Sequence, residues 1–400
     1  MDADRSAAGG ALPSRPDLTF AGNRNQPRHD WLRLTPAYSR RVVESLLDRA
    51  DPAVRVLDPF SGSGTTVLSA AQRGMSADGV ELNPFLVWLG GVKLARFATK
   101  TLERTRDAAD AVSKHRRAVE PPPIHNIERW WSPAVLRWLC RVSAGIETQR
   151  GRTRDLLRVA FCRAMIGTSG AAFNHVSMSF KAPKKIDARA CTRRFKADVE
   201  HVLEGAAAAP RGKGRVLRGD ARALAPLTGT YDLVITSPPY PNRMSYIREL
   251  RPYMYWTGHL EKARDAGELD WKAIGGTWGI ATSRLKEWER TRGTCPTALK
   301  KVLPKVRGAH DKNGPLLAAY LDRYFEDTEQ HLRRLREHVT KGGEIHYVVG
   351  NSTFYGELIP VETLYAELME RAGFRKATIE TLRKRNSKKE LYEFRVSALG

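Results

Sequence analysis

The stretch Val56-Leu-Asp-Pro-Phe-Ser-Gly-Ser-Gly-Thr-Thr66 constrains the fold of this chain more than any other. A short apolar run, a glycine turn and a helix-forming run from Val67 to Arg73 read as strand, turn and helix N-terminus, the opening unit of a parallel α/β sheet. Gly62 and Gly64 let backbone approach a ligand where a Cβ would collide. A Gly-x-Gly turn alone is a weak signal, and Val67 stands where a dinucleotide fingerprint has its third glycine, which disfavours a pyrophosphate site. Asp58 at the strand end also repels phosphate and suits a cationic or amine-bearing ligand. Gly79-Val-Glu-Leu-Asn-Pro84 ends a second strand with Glu81, where a carboxylate grips ribose hydroxyls. The ligand expected is an adenosine without phosphates, and S-adenosylmethionine is the common one.

A second motif, Leu233-Val-Ile-Thr-Ser-Pro-Pro-Tyr240, reads as a buried strand running into a rigid turn, because two prolines fix successive φ angles and remove two donors. Such a turn presents the Ser237 hydroxyl and the Pro238 carbonyl as acceptors, with Pro239 stiffening it and the Tyr240 ring alongside. A planar exocyclic amine with two N–H donors fits them. A proline-stiffened loop is the plain alternative for Pro-Pro alone.

Together the two motifs resemble the amino-directed DNA methyltransferases of the Ser-Pro-Pro-Tyr type, which modify cytosine N4 or adenine N6. The resemblance covers roughly half the chain. It implies a Rossmann-like α/β methyltransferase sheet with a C-terminal antiparallel hairpin and helical insertions. Asp58, Pro59, Phe60, Gly62, Ser63, Gly64, Thr65, Glu81 and Asn83 become cofactor-site candidates. Arg218-Gly-Asp-Ala221 resembles the acidic end of the third strand, so Asp220 is expected near the adenine. His29-Asp-Trp-Leu-Arg-Leu-Thr-Pro-Ala-Tyr-Ser39 is loosely similar to the segment laid over the methionine end, which adds Thr35. An N-capping Ser39 ahead of an amphipathic run, Arg40 to Leu47, looks the same in any protein.

The expected organisation is a disordered tail (1–19), a cofactor half (20–95), a mainly helical insertion (96–211), a catalytic half (212–256), a second insertion (257–310) and the end of the methyltransferase domain (311–400). Candidate helices of the first insertion run from Thr99 to Val119, Pro133 to Glu147, Arg152 to Ile166 and Ala188 to Ala208, with a loop from Gly167 to Phe180. Trp130, Trp131 and Trp138 lie there among basic residues, with Trp271, Trp278 and Trp288 in the second insertion. Basic residues interleaved with aromatics suit a surface that tracks phosphates and stacks bases; for any single tryptophan the preferred reading is a tryptophan-rich core under a solvated basic face. Lys181, Lys184, Lys185, Arg193, Arg194 and Arg243 are the phosphate candidates. A closing hairpin is expected from Arg375 to Leu382 and Glu390 to Val396, its tip carrying Arg383, Lys384, Arg385, Lys388 and Lys389.

A formal net charge of +23 points to a polyanionic partner, which basicity alone does not assign to DNA or RNA. Cys140, Cys162, Cys191 and Cys295 have no metal-type spacing, and none follows a proline as in cytosine-C5 enzymes. No apolar run approaches a membrane span, so a cytoplasmic enzyme is the default. The resemblance implies transfer from S-adenosylmethionine to a flipped base of double-stranded DNA, in restriction-modification or phage defence with a cognate endonuclease as a possible companion. Cytosine N4 is preferred because Ser237 opens the turn, where adenine enzymes more often carry Asp or Asn. The alternatives are an adenine-N6 enzyme, an RNA enzyme of the tRNA guanine-N2 type, and a non-enzymatic DNA-binding relic.

Overall fold

The computed structural model describes residues 15–32, 34, 38–172, 179–184, 186–276, 280–309, 312–385 and 390–400. Thr35, Lys185, Trp278, Lys388 and Lys389 lie outside them, as does most of the tail.

Seven strands form the central sheet: β1 (Arg55–Asp58), β2 (Ser76–Glu81), β3 (Lys213–Arg218), β4 (Tyr231–Thr236), β5 (Val339–Gly350), β6 (Arg375–Lys384) and β7 (Tyr392–Leu399). Their order is β6-β7-β5-β4-β1-β2-β3. The five strands from β5 to β3 run parallel, while β7 is antiparallel to both β5 and β6. The chain order reverses direction between β1 and β4, and in an open parallel sheet that switch point is where ligands bind. Both motifs end there.

Alternation along the strands builds two apolar layers. Val56, Leu233 and Ile235 face α1 (Arg40–Leu47) and α2 (Thr65–Gln72), where they join Val43, Leu47 and Val67. Leu57 and Val234 face the other way, toward a core that α12 (Gly314–Arg336) and α13 (Val361–Arg371) complete with Leu321, Phe325, Leu332, Leu364 and Leu368. A third apolar cluster joins α3 (Pro84–Leu94), α8 (Tyr246–Trp256) and the first insertion, whose helices are α4 (Thr99–Ser113), α5 (Pro133–Glu147), α6 (Gly151–Gly167) and α7 (Ala188–Ala207). The second insertion carries α9 (Ala263–Lys272), α10 (Ile280–Lys286) and α11 (Thr297–Arg307), and its Ile274, Leu285, Leu299 and Val306 are buried in the α12 core.

Several expectations need correction. α4 stops at Ser113 instead of reaching Val119, because the chain turns extended ahead of Pro121, Pro122 and Pro123 and the Val119 N–H bonds the Cys140 carbonyl. The expected loop after α6 contains a two-residue antiparallel ribbon, Ala171–Ala172 with Ser179–Phe180. Trp130, Trp131 and Trp138 are core residues, each no more than 3% exposed, so these three do not form a stacking surface. Trp271 meets the Arg323 guanidinium 3.6 Å from its ring centre and that of Arg284 at 5.5 Å. None of the described helices is long and apolar enough to cross a membrane.

Buried Arg28 ties the N-terminal segment to the rest. Its guanidinium donates to the carbonyls of Lys93 and Ala95 at the end of α3 and of Gly205 and Ala206 at the end of α7, between 2.6 and 2.9 Å. A cation there satisfies the orphan carbonyls of two helix C-termini and their partial negative charge.

Candidate active site

The glycine turn is closed by Glu81. One carboxylate oxygen accepts the Gly62 N–H at 2.8 Å and the other accepts the Asn83 N–H at 2.7 Å. Gly62 and Gly64 have φ of +50° and +80°, the left-handed region, and Gly64 caps α2. Burial pushes the Glu81 carboxyl up to about 7, against the pull of the Asn83, Gly62 and Leu82 N–H groups. A carboxylate has about four acceptor positions, so capacity remains here for hydroxyl donors. Asn83 contributes through its backbone: its side chain caps α3 at the Phe85 N–H, 3.0 Å away, and reaches the Met254 sulfur.

Asp58 is fully buried at the end of β1. Its Oδ1 accepts the Phe60 N–H and the Thr236 hydroxyl, while Oδ2 is buried with no hydrogen-bond partner among the described residues. Burial pushes this carboxyl up to about 6. The Ser61 hydroxyl, also buried, likewise lacks a partner among them. Orphaned buried acceptors are costly unless something pairs with them, and the ammonium or sulfonium end of S-adenosylmethionine fits this spot. Tyr38 lies against the same corner: its phenol pairs with the Thr66 hydroxyl and feels both Asp58 and Tyr240. It belongs to the N-terminal segment expected over the methionine end, where the sequence points to Thr35 instead.

Asp220 follows β3, and its two oxygens engage Arg222 at 2.7 to 3.2 Å. The Arg222 guanidinium holds this carboxyl below its usual range. The Phe60 ring meets the His331 imidazole edge-on, centroids 4.7 Å apart. His331 Nδ1 lies 2.7 Å from the Ala221 carbonyl and Nε2 lies 2.6 Å from the Tyr347 hydroxyl. Burial pulls its pKa down to about 4, so the ring is neutral, with Nδ1–H donating and Nε2 accepting. Pro59 and Thr65 are buried, and Ser63 is half-buried with its hydroxyl 3.3 Å from that of Thr65.

The Ser237–Tyr240 turn leaves β4 beside Asp58. Its prolines cannot donate, and tyrosine hydroxyls hold the rest of it: Tyr324 donates to the Pro239 carbonyl at 2.7 Å, Tyr246 accepts the Tyr240 N–H at 3.0 Å, and Tyr320 accepts the Arg243 N–H at 3.3 Å. The Pro238 carbonyl accepts no hydrogen bond among the described residues. Burial, with the Glu393 carboxylate beside it, raises the Tyr240 phenol well above its ordinary range, against the opposing pull of Ser237. Gly350 at the end of β5 makes room for that ring, since a Cβ there would stand 2.8 Å from it. The Arg385 guanidinium lies 5.7 Å from the ring centre and donates to the Asn351 carbonyl at 3.0 Å. The two other described tip cations are paired, Arg383 with Glu393 and Lys384 with Glu390.

Sequence reasoning missed Tyr320, Tyr324 and His331. The spacing of the two tyrosines, four apart on α12, was the available signal. The described phosphate candidates, Lys181, Lys184, Arg193, Arg194 and Arg243, are all exposed. Lys184 donates to the Gly167 carbonyl and Arg194 pairs with Asp198, so neither is wholly free.

No family model matches the chain. Over 446 aligned residues it is 22% identical to the Type II methyltransferase M.BsoBI of Geobacillus stearothermophilus, covering 94% of this chain and 85% of that protein. A shorter match, 33% over 73 residues, is to the Type II methyltransferase M.AvaI of Nostoc sp., covering 18% of this chain and 15% of that one. Among solved structures, TrmN from Thermus thermophilus aligns over 90% of this chain and 47% of its own at 13% identity and TM-score 0.30. The rRNA methyltransferase aviRa from Streptomyces viridochromogenes aligns over 90% and 86% at 12% identity, also with TM-score 0.30. Those two likenesses do not bear on substrate. The near full-length similarity to M.BsoBI, with the sheet order and the adenosine-type site, supports a methyltransferase whose cofactor is S-adenosylmethionine.

Proposed function

We propose that this protein is a DNA methyltransferase acting on the exocyclic amine of a flipped base, cytosine N4 in preference to adenine N6. The observation that carries the reading is the position of the Ser237–Tyr240 turn, which leaves β4 with Thr236 bonded at 2.6 Å to the carboxylate of the cofactor strand. The relatives named Type II methyltransferases and the net charge of +23 favour DNA as the polyanion.

The chemistry follows from the amine. Cytosine N4 is a poor nucleophile because its lone pair is delocalised into the ring, and a paired base cannot reach the cofactor, so the base is extruded at a cost of a few kcal/mol. S-adenosylmethionine supplies an activated methyl group. Tyr240 provides a stacking face, and the Ser237 hydroxyl and Pro238 carbonyl accept the two N–H groups, which directs the nitrogen lone pair outward. These acceptors are preorganised by the tyrosine hydroxyls that hold the turn, so little reorganisation accompanies the developing positive charge. The Tyr240 ring face adds cation–π stabilisation of about 1–2 kcal/mol when desolvated.

Tritiated-methyl transfer to duplex DNA, single-stranded DNA and tRNA, followed by nucleoside mass spectrometry, tests the reading. Label in duplex DNA as N4-methylcytosine is the expected result. Label confined to tRNA would replace it with an RNA enzyme.

A further inference from the structure

α3 does more than cover the sheet. Gly90 lets it lie against β3, since a Cβ there would come within 2.6 Å of Val216, and the Gly90 Cα is 3.8 Å from where a Cβ on Gly64 would sit. Helix and glycine turn are therefore in direct contact. One turn further along the same face, Lys93 is buried and donates from Nζ to the Ser63 carbonyl at 2.9 Å. Lys93 forms no ion pair among the described residues, and Asp30 acts on it only from a distance. An ammonium without a close counter-ion is expensive to bury, and a methionine would fill the same space without that penalty.

The Ser63–Gly64 peptide is held at both ends, its carbonyl by Lys93 and its N–H by the Ser61 carbonyl at 2.7 Å. With Gly62 fastened to Glu81, the turn has little freedom left. We propose that Lys93 is a positioning residue of the S-adenosylmethionine site, its ammonium fixing the Ser63–Gly64 peptide so that the turn is already shaped for the cofactor. The inference rests on S-adenosylmethionine as cofactor and on nothing about the methyl acceptor.

Charge state gives the proposal a signature. Burial pulls Lys93 down to about 8, and Asp30 opposes this. Its other charged or titratable neighbours are Arg28, which donates to the Lys93 carbonyl, and His29, which is held neutral by burial and by Lys93 itself. Above that pH the neutral amine is a weaker donor, and the turn loosens.

The experiment is calorimetric titration of the full chain with S-adenosylmethionine and with 5′-deoxy-5′-methylthioadenosine, which has no group titrating between about pH 7 and 9.5. Lys93→Met is expected to bind both ligands about tenfold more weakly, with turnover at saturating cofactor nearly unchanged and Lys93→Arg recovering part of the affinity. Between about pH 8 and 9.5, where Glu81 is already ionised, wild-type affinity for methylthioadenosine falls as pH rises, and the Lys93→Met profile is flat. A folded Lys93→Met with wild-type affinity, or a mutant losing turnover without affinity, overturns the proposal. Should that variant not fold, a flat wild-type pH profile overturns it alone. Wild type that binds neither ligand would remove the cofactor assignment as well, a result distinct from any loss seen only in the mutant.

Discussion

The Thr236 hydroxyl donates to Asp58 Oδ1 at 2.6 Å, joining the last residue of β4 to the last residue of β1. Two motifs that lie about 180 residues apart in sequence are thereby one hydrogen bond apart, and the shared residue is a carboxylate whose protonation is set by burial.

If that carboxylate and Glu81 line the cofactor site as proposed, cofactor binding is expected to be pH-dependent. Asp58 is raised to about 6 and Glu81 to about 7 in the free protein, both chiefly by burial. Their folded-state values lie above the unfolded ones, so the folded protein holds extra protons in this window and its stability without ligand falls as pH rises through it. A cationic ligand end beside Asp58 and hydroxyl donors on Glu81 favour the ionised forms. S-adenosylmethionine affinity is therefore expected to rise between about pH 5 and 7.5, with protons released on binding. Calorimetry in buffers of different ionisation enthalpy checks this; affinity constant across that range would contradict it.

Glu81→Ala removes the proposed ribose contact and also frees the Gly62 N–H. A loss of about 1–3 kcal/mol in cofactor affinity is expected. Unchanged affinity by calorimetry would take Glu81 out of the site.

Neutralising exposed Lys181 and Arg193 together should weaken DNA binding alike on all sequences and flatten its salt dependence, by roughly one slope unit for each phosphate that is no longer neutralised. An unchanged slope would leave them as a solvated face.

Gly350→Ala places a methyl group 2.8 Å from the Tyr240 ring. Turnover should fall while S-adenosylmethionine affinity stays near wild type, because the clash moves the stacking face and spares the glycine turn. Steady-state kinetics beside calorimetry reads the difference, and wild-type turnover would show that Tyr240 has room to shift.

The sheet was legible because parallel strands buried on both faces read as apolar runs such as Leu233 to Ile235, and because Gly62, Gly64 and the two prolines permit few other conformations. The tryptophans were ambiguous for a physical reason: aromatics among basic residues mark both a nucleic-acid surface and the inner face of amphipathic helices, and only packing separates the two. Trp131 lies within the cluster that α3 and α8 complete. Arg28 was illegible because its partners are backbone carbonyls, which leave no trace in residue identity. Tyr320, Tyr324 and His331 acquire meaning only once α12 is laid across the switch point of the sheet.

The most direct test of the account is single-turnover methylation of duplex DNA by Ser237→Ala and Tyr240→Ala at saturating S-adenosylmethionine. Losing the Ser237 acceptor while Pro238 keeps its own should cost about 2–4 kcal/mol in the barrier. Losing the Tyr240 ring should slow transfer by orders of magnitude with cofactor affinity little changed. Folded variants that both methylate DNA at the wild-type rate would reduce the turn to a rigid loop and place the transfer elsewhere.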